Sequence, residues 1–242
     1  MSSLTAESDK GLFSNTLIGV GMGKNIFTVE KDGNLYASNL KSNKWRAVGS
    51  GYNTQHLVAD SSDGSGSLYA IEKDGTLYQV DPSSGEFEQI NETGYFKGCT
   101  AADAVDGTLY CTTAGHMFEV DLSNHEVEDF GGDYNTRALW CWQGYVYTLE
   151  RDGSLYKVDA ESGEHERHGD EGAYSDTTTA TIHNGVFYAI ENDGALGATD
   201  IEDGTYTEID DNNFGHIRQL FSANNKLYGI SKDGTLYHID PD

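Results

Sequence analysis

The chain has 242 residues, among them 29 Gly, 2 Pro, 15 Tyr and 9 Phe. That length suits one domain with a sizeable core, and the mixture favours many short strands joined by tight turns. Against 15 Lys and Arg stand 40 Asp and Glu, a formal net charge of −25, which repels phosphate backbones and anionic lipid and argues against nucleic-acid and membrane-surface roles.

The N-terminus, MSSLTAESDKGLF, has neither the basic nor the apolar region of a secretory signal, and no apolar run approaches transmembrane length. The expectation is a cytoplasmic, soluble, monomeric protein. The cysteines Cys99, Cys111 and Cys141 are odd in number and lack CxxC spacing, so they predict neither a disulfide framework nor a zinc site but small buried hydrophobes.

One segment then recurs along the chain. IFTVEKDGNLYASN (26–39) is followed by LYAIEKDGTLYQVD (68–81), the shortened LYCTTAGHMFEVD (109–121), VYTLERDGSLYKVD (146–159), FYAIENDGALGATD (187–200) and LYGISKDGTLYHID (227–240). A period of about 40 residues falls in the propeller range. Each unit reads as an apolar inner strand, a Gly-led turn, a second strand, an Asp-Gly hairpin, a third strand, a turn opened by Asp, and a more polar outer strand. The Asp-Gly hairpins are expected to be two-residue turns, because a tight twisted turn needs positive φ.

Five units carry all four strands, whereas the sixth stops after its third. Residues about 3–9 precede the first inner strand where an outer strand would otherwise lie. The chain is therefore predicted to be all-β, a single six-bladed β-propeller over 1–242 with four-stranded blades, the ring closed by pairing of the N-terminal strand with the last blade.

Much of the strongest patterning serves this scaffold. The column Asn39, Asp81, Asp121, Asp159, Asp200 and Asp240 is expected to bond backbone N–H groups in tight turns. No DxDxDG run points to calcium, and neither a metal nor another cofactor is expected. The tyrosine columns (Tyr69, Tyr110, Tyr147, Tyr188, Tyr228 and Tyr36, Tyr78, Tyr156, Tyr237) read as packing between blades.

In the first blade, DGNLYASNLKSNKW (32–45) followed by GSGYNTQHLVADSSDGSGSLYAI (49–71) resembles the blades of tachylectin-type propeller lectins. Trp45 stands at the Trp of the outer strand and Tyr52 at the aromatic of the Gly-rich loop, although the Gly-Gly-Trp loop itself is never intact and the blades are shorter. The resemblance implies a sugar-binding lectin with pockets between adjacent blades.

The units disagree most in the loops leading into the inner strands. These align on Phe13, Tyr52, Tyr95, Tyr134, Tyr174 and Phe214. Three share an Asn-Thr pair (Asn15-Thr16, Asn53-Thr54, Asn135-Thr136); the remaining positions diverge, placing His56, Lys97, Arg137, Asp176, His216 and Arg218 around one rim. The hairpin carboxylates Glu30, Glu72, Glu150 and Glu191 face the same end. A multivalent lectin repeats its contact residues from blade to blade, whereas a single site over the channel draws different residues from different blades; the rim is mostly of the second kind.

The reading is thus of one small organic molecule held at the channel mouth, by a cofactor-free enzyme of cyclase, isomerase or lyase type. His56, His216 and Arg137 are the candidate catalytic groups. Tyr52, Asn53, Lys97, Tyr134, Asn135, Trp140, Asp176, Phe214 and Arg218 are the candidate substrate contacts. Trp140 and Trp142 share one side of an inner strand and either fill a packing gap or wall a pocket. The alternatives are the sugar-binding lectin and an acidic scaffold for a basic protein.

Overall fold

A computed structural model describes residues 2–42, 44–60, 66–210 and 213–241. The described residues form 24 strands in six four-stranded antiparallel sheets. In chain order the blades are β2–β5 (Thr16–Met22, Asn25–Glu30, Asn34–Asn39, Trp45–Ser50), β6–β9 (Thr54–Asp60, Ser67–Glu72, Leu77–Val80, Phe87–Gln89) and β10–β13 (Ala101–Val105, Thr108–Thr113, His116–Asp121, Val127–Gly131). They continue as β14–β17 (Thr136–Trp142, Tyr145–Glu150, Leu155–Asp159, His165–Arg167), β18–β21 (Thr177–His183, Val186–Glu191, Leu196–Asp200, Tyr206–Asp210) and β22–β24 (Ile217–Ala223, Lys226–Ser231, Leu236–Asp240). The protein is a six-bladed β-propeller.

The last blade takes its outer strand from the other end of the chain. β1 (Ser3–Ala6) pairs antiparallel with β24 in the register Ser3↔Asp240 to Ala6↔Tyr237. Glu7 N–H donates to Leu236 O (2.8 Å), and Leu236 N–H donates to Ser8 Oγ (2.9 Å), so the seam continues past the strand. It leaves no bare inner edge.

The hairpins differ from the sequence expectation. Gly33 N–H donates to Glu30 O (2.9 Å), and only Gly33, not Asp32, has positive φ (80°). Gly75, Gly153, Gly194 and Gly234 repeat this with φ of 89°, 88°, 94° and 82°. These are three-residue loops, a type I turn closed by a left-handed glycine. In each, the Asp side chain accepts the N–H two residues on, as Asp74 does from Thr76 at 2.9 Å. The two-residue hairpin between second and third strands is the shortened third one, Ala114-Gly115 (φ 52° and 86°). Among the hairpins, paired positive φ belongs otherwise to the first ones, such as Asp106-Gly107 and Asn184-Gly185.

Those glycines join neighbouring blades. The carbonyls of Gly33, Gly75, Gly115, Gly153, Gly194 and Gly234 accept N–H bonds from Tyr52, Phe96, Tyr134, Tyr174, Phe214 and Phe13 at 2.9–3.0 Å. The six aromatics are thereby placed by backbone bonding. In blade three the residue in register is Phe96, fully buried, while Tyr95 is 49% exposed, which corrects the alignment on Tyr95. The Asx reading of the second turn holds: Asp81, Asp121, Asp159 and Asp200 each accept the N–H two residues on, at 2.7–3.0 Å. The core lies between blades, where Tyr69, Tyr110, Tyr147, Tyr188 and Tyr228 are all buried.

A Cβ on Gly153 would lie 2.2 Å from Ser175 N, and one on Gly75 2.2 Å from Lys97 N. Gly153→Ala combines that clash with unfavourable φ, and a loss of about 3 kcal/mol is expected in urea unfolding. Gly144→Ala, also at positive φ but with open space around it, is expected to cost about 1 kcal/mol.

Candidate functional site

The inner strands of all six blades surround a central channel of about 590 Å³. Each full-length inner strand opens with a β-bulge, at Thr16/Ile18, Thr54/His56, Thr136/Ala138, Thr177/Thr179 and Ile217/Gln219. The bulge makes the intervening residue an extra one and re-aims it. Those residues are Leu17, Gln55, Arg137, Thr178 and Arg218, and three of them reach the next blade. Arg137 Nη1 donates to Thr177 O (2.8 Å) and Nη2 to Tyr174 O (2.5 Å). Arg218 Nη2 donates to Phe13 O (2.9 Å) and Nε to Ser231 O (3.2 Å). Gln55 Nε2 donates to Cys99 O. Both arginines are thus clips between blades, and burial lowers the pKa of each guanidinium.

The Asn-Thr pairs are structural as well. The hairpin carboxylate of the same blade accepts the Thr hydroxyl: Thr16 to Glu30 (2.6 Å), Thr54 to Glu72 (2.7 Å), Thr136 to Glu150 (2.7 Å) and Thr177 to Glu191 (3.0 Å). Glu72 and Glu150 also accept the backbone N–H of Asn53 and Asn135, each at 2.5 Å. Two β-strands and a loop are pinned by one side chain, so these carboxylates hold the rim together.

The structure divides the sequence-predicted residues into three groups, with Arg218 standing apart from them. His56, Arg137 and Trp140 line the channel. Tyr52 and Phe214 are buried in the inter-blade core, with Tyr52 Oη donating to Gly85 O (3.1 Å). Asn53, Lys97, Asn135, Asp176 and His216 are exposed on the rim, and Tyr134 is half-buried there; none of these six lines the channel. Arg218 is half-buried in its clip. The His216 ring packs edge-on against Tyr237, at 5.3 Å between centroids.

Trp140 stands edge-on to Phe187 of the following blade (5.1 Å), in a cluster that also takes in Trp142. Packing therefore accounts for both tryptophans, while one flank of Trp140 also faces the channel. Cys99 and Cys111 are fully buried in one cluster, and all three cysteines are free thiols.

His56 is joined by polar groups deeper in the channel that sequence reasoning missed, Asp103, Thr179 and Gln219. His56 Nε2 lies 3.1 Å from Cys99 O. Asp103 Oδ2 accepts Cys141 N–H of the next blade (2.9 Å), Thr179 Oγ1 accepts Leu220 N–H (2.9 Å), and Gln219 Nε2 donates to Gly19 O (2.7 Å). Each bond crosses a blade boundary. Two buried polar atoms of the wall have no partner in the protein, Arg137 Nε and Gln219 Oε1. Asp103 was legible as a charged residue in an otherwise apolar inner strand, AADAV. Among the described residues no group of three His, Cys, Asp or Glu could hold a metal ion, and no helix is long and apolar enough to cross a membrane.

No protein-family model matches the sequence, and no curated protein matches it either. Solved structures do. A structural genomics protein of unknown function from Bacteroides thetaiotaomicron superposes with a TM-score of 0.73 at 15% identity, over 99% of this chain and 76% of that one. An auxiliary nutrient binding protein from the same organism gives 0.69 at 11% identity, over 94% and 69% of the two chains. BamB from Moraxella catarrhalis gives 0.56 at 14%, over 92% and 71%. What they share with this chain is the fold. At such identities the likeness reaches no further.

Burial raises the pKa of Asp103 to about 6, against the lowering effect of the Cys141 and Ala104 N–H groups. The native state then holds this proton more tightly than the unfolded chain. Its contribution to stability is complete below about pH 4, is lost between about pH 4 and 6, and is absent above. Asp103→Asn keeps an acceptor for Cys141 N–H and removes the charge. The variant is expected to be more stable than the parent at pH 7.5, by on the order of 2 kcal/mol in unfolding free energy once solvent in the channel is allowed for, and as stable as the parent at pH 4. Identical pH profiles for the two proteins would show that Asp103 is not the titrating group.

Proposed function

We propose that the chain binds one small organic molecule in the central channel, contacted by different residues from different blades. The observation that carries this is the pair of unpartnered buried atoms in the channel wall, an Arg137 N–H donor and a Gln219 carbonyl acceptor. A buried polar group without a partner costs about 1–3 kcal/mol, and a ligand that offers an acceptor to Arg137 or a donor to Gln219, such as a carboxylate or an amide, relieves that cost at the group it reaches. Trp140 and the aliphatic channel residues supply the apolar part of the surface.

Catalysis of cyclase, isomerase or lyase type is the narrower form of this proposal. Its acid–base group is His56, since His216 does not line the channel. The proposal takes the form of a cytoplasmic monomer without cofactor. Sugar binding, as the tachylectin resemblance implies, is the second reading. It draws on clefts that recur on blades four and five, beside Tyr134 and Tyr174. The acidic scaffold rests on net charge alone.

Ala138 lines the channel without taking part in any of the described clips. Ala138→Phe is expected to fill the channel and, because Ala138 also packs against the core between blades four and five, to lower the melting temperature by several degrees while the protein stays folded. In ligand-observed NMR against a library of small carboxylates and amides, the parent should bind at a stoichiometry of one and the variant at least about tenfold more weakly. Equal binding by the two proteins would sink the channel proposal. Several equivalent sites for a monosaccharide would favour the lectin instead.

A further inference from the structure

The outer end of blade four carries a second cavity, independent of the channel. A cleft of about 710 Å³ opens between the lead-in loop of β14, the β15–β16 hairpin and the outer strands. Its walls include the half-buried rings of Tyr134 and Tyr156 and the exposed ring of His165. The His165 ring lies 5.9 Å from Tyr156 and 6.5 Å from Tyr134, steeply inclined to both. Rings so disposed present faces and edges around a space rather than a closed stack.

Carboxylates bound the same space, and they are not equivalent. Glu150 is fully engaged, one oxygen on Thr136 and the other on Asn135 N–H. Asp152 uses Oδ1 on Ser154 N–H (2.8 Å), which leaves Oδ2 for another donor. Asp133 is exposed at the lip. No lysine or arginine is among the described residues that line the cleft. At its floor is Thr148, 0% exposed, whose Oγ1 has no hydrogen-bond partner. The corresponding positions of the other blades are Thr28, Ala70, Cys111, Ala189 and Gly229; a threonine recurs only in blade one, and of the two hydroxyls only that of Thr148 is both fully buried and without a partner.

Rings, uncompensated carboxylates and a buried orphan hydroxyl point to one ligand chemistry. An organic ammonium is attracted by aromatic faces, paired by carboxylates and able to donate to a hydroxyl oxygen. A protein of net charge −25 also concentrates cations at its surface. A neutral sugar would use the rings but would gain nothing from the excess negative charge. We propose that the blade-four cleft binds an organic ammonium group, either a free amine or a lysine side chain of a partner.

The test is calorimetric titration of the full chain, with ring-proton NMR, using cadaverine and a capped lysine-containing peptide as probes. Saturable binding is expected for at least one probe, with shifts confined to Tyr134, Tyr156 and His165. Tighter binding of the peptide assigns the site to a protein side chain, and tighter binding of cadaverine to a free amine. Acetylating the peptide lysine should abolish its binding.

Asp133→Asn combined with Asp152→Asn removes two charges while keeping the turn acceptor at position 152, and should weaken binding about tenfold at an unchanged melting temperature. Thr148→Val should weaken it a few-fold and leave the fold at least as stable, since it deletes a buried hydroxyl without a partner. Absence of binding by either probe, full affinity in the double variant, or equal affinity for glucose would overturn the proposal. None of these results bears on the channel, because none of the substituted residues lines it.

Discussion

The ring rests on one repeated hydrogen bond, from an aromatic residue's N–H in one blade to a glycine carbonyl at the hairpin of the blade before it. It occurs at all six boundaries, including the one between blade six and Phe13. The bond requires the hairpin to approach the next lead-in loop so closely that at Gly75, Gly153 and Gly234 a Cβ has no room. Left-handed φ and contact distance therefore select glycine for two separate reasons. Once the loop backbone is held there, its aromatic side chain has only the space between blades to enter.

The same joint explains why the rim is poor in free functional groups. Carboxylates that face this end, Glu30, Glu72, Glu150 and Glu191, are occupied by the threonine that opens each inner strand. Arg137 and Arg218 are turned by their β-bulges onto carbonyls of the adjacent blade. Inside the channel, Asp103, Thr179 and Gln219 do likewise with backbone groups across blade boundaries. Near the axis, where the inner strands of neighbouring blades converge, polar side chains are the nearest partners for a neighbour's unpaired backbone groups. This pairing is incomplete at Arg137 Nε and Gln219 Oε1 in the channel wall and at Thr148 Oγ1 beside the blade-four cleft, the atoms on which both binding proposals rest.

Departures from six-fold symmetry thus have two origins. Some are substitutions within a conserved geometry, as where Thr113 replaces the hairpin glutamate and its hydroxyl donates to Lys97 O (3.0 Å). Others change what a cavity presents, as where Tyr156 and His165 on blade four are matched by Gly197 and Tyr206 on blade five, whose ring fills the space a Cβ on Gly197 would need. Only the second kind alters binding chemistry, and the two look alike in an alignment of repeats.

The six blades, their strand order and the borrowed outer strand were all determined by the sequence, because repeat period, alternation and turn residues are local signals that strand pairing simply extends. Asp81 and its counterparts were legible as turn caps for the same reason. The position of Phe96 rather than Tyr95, the fate of the Asn-Thr pairs and the clipping role of Arg137 were decided only in the folded ring. The first and the last depend on which backbone group of an adjacent blade comes within hydrogen-bond reach, the second on the hairpin carboxylate of the same blade. That proximity joins residues about 20 to 40 positions apart in the chain, or at its two ends, and no local pattern encodes it.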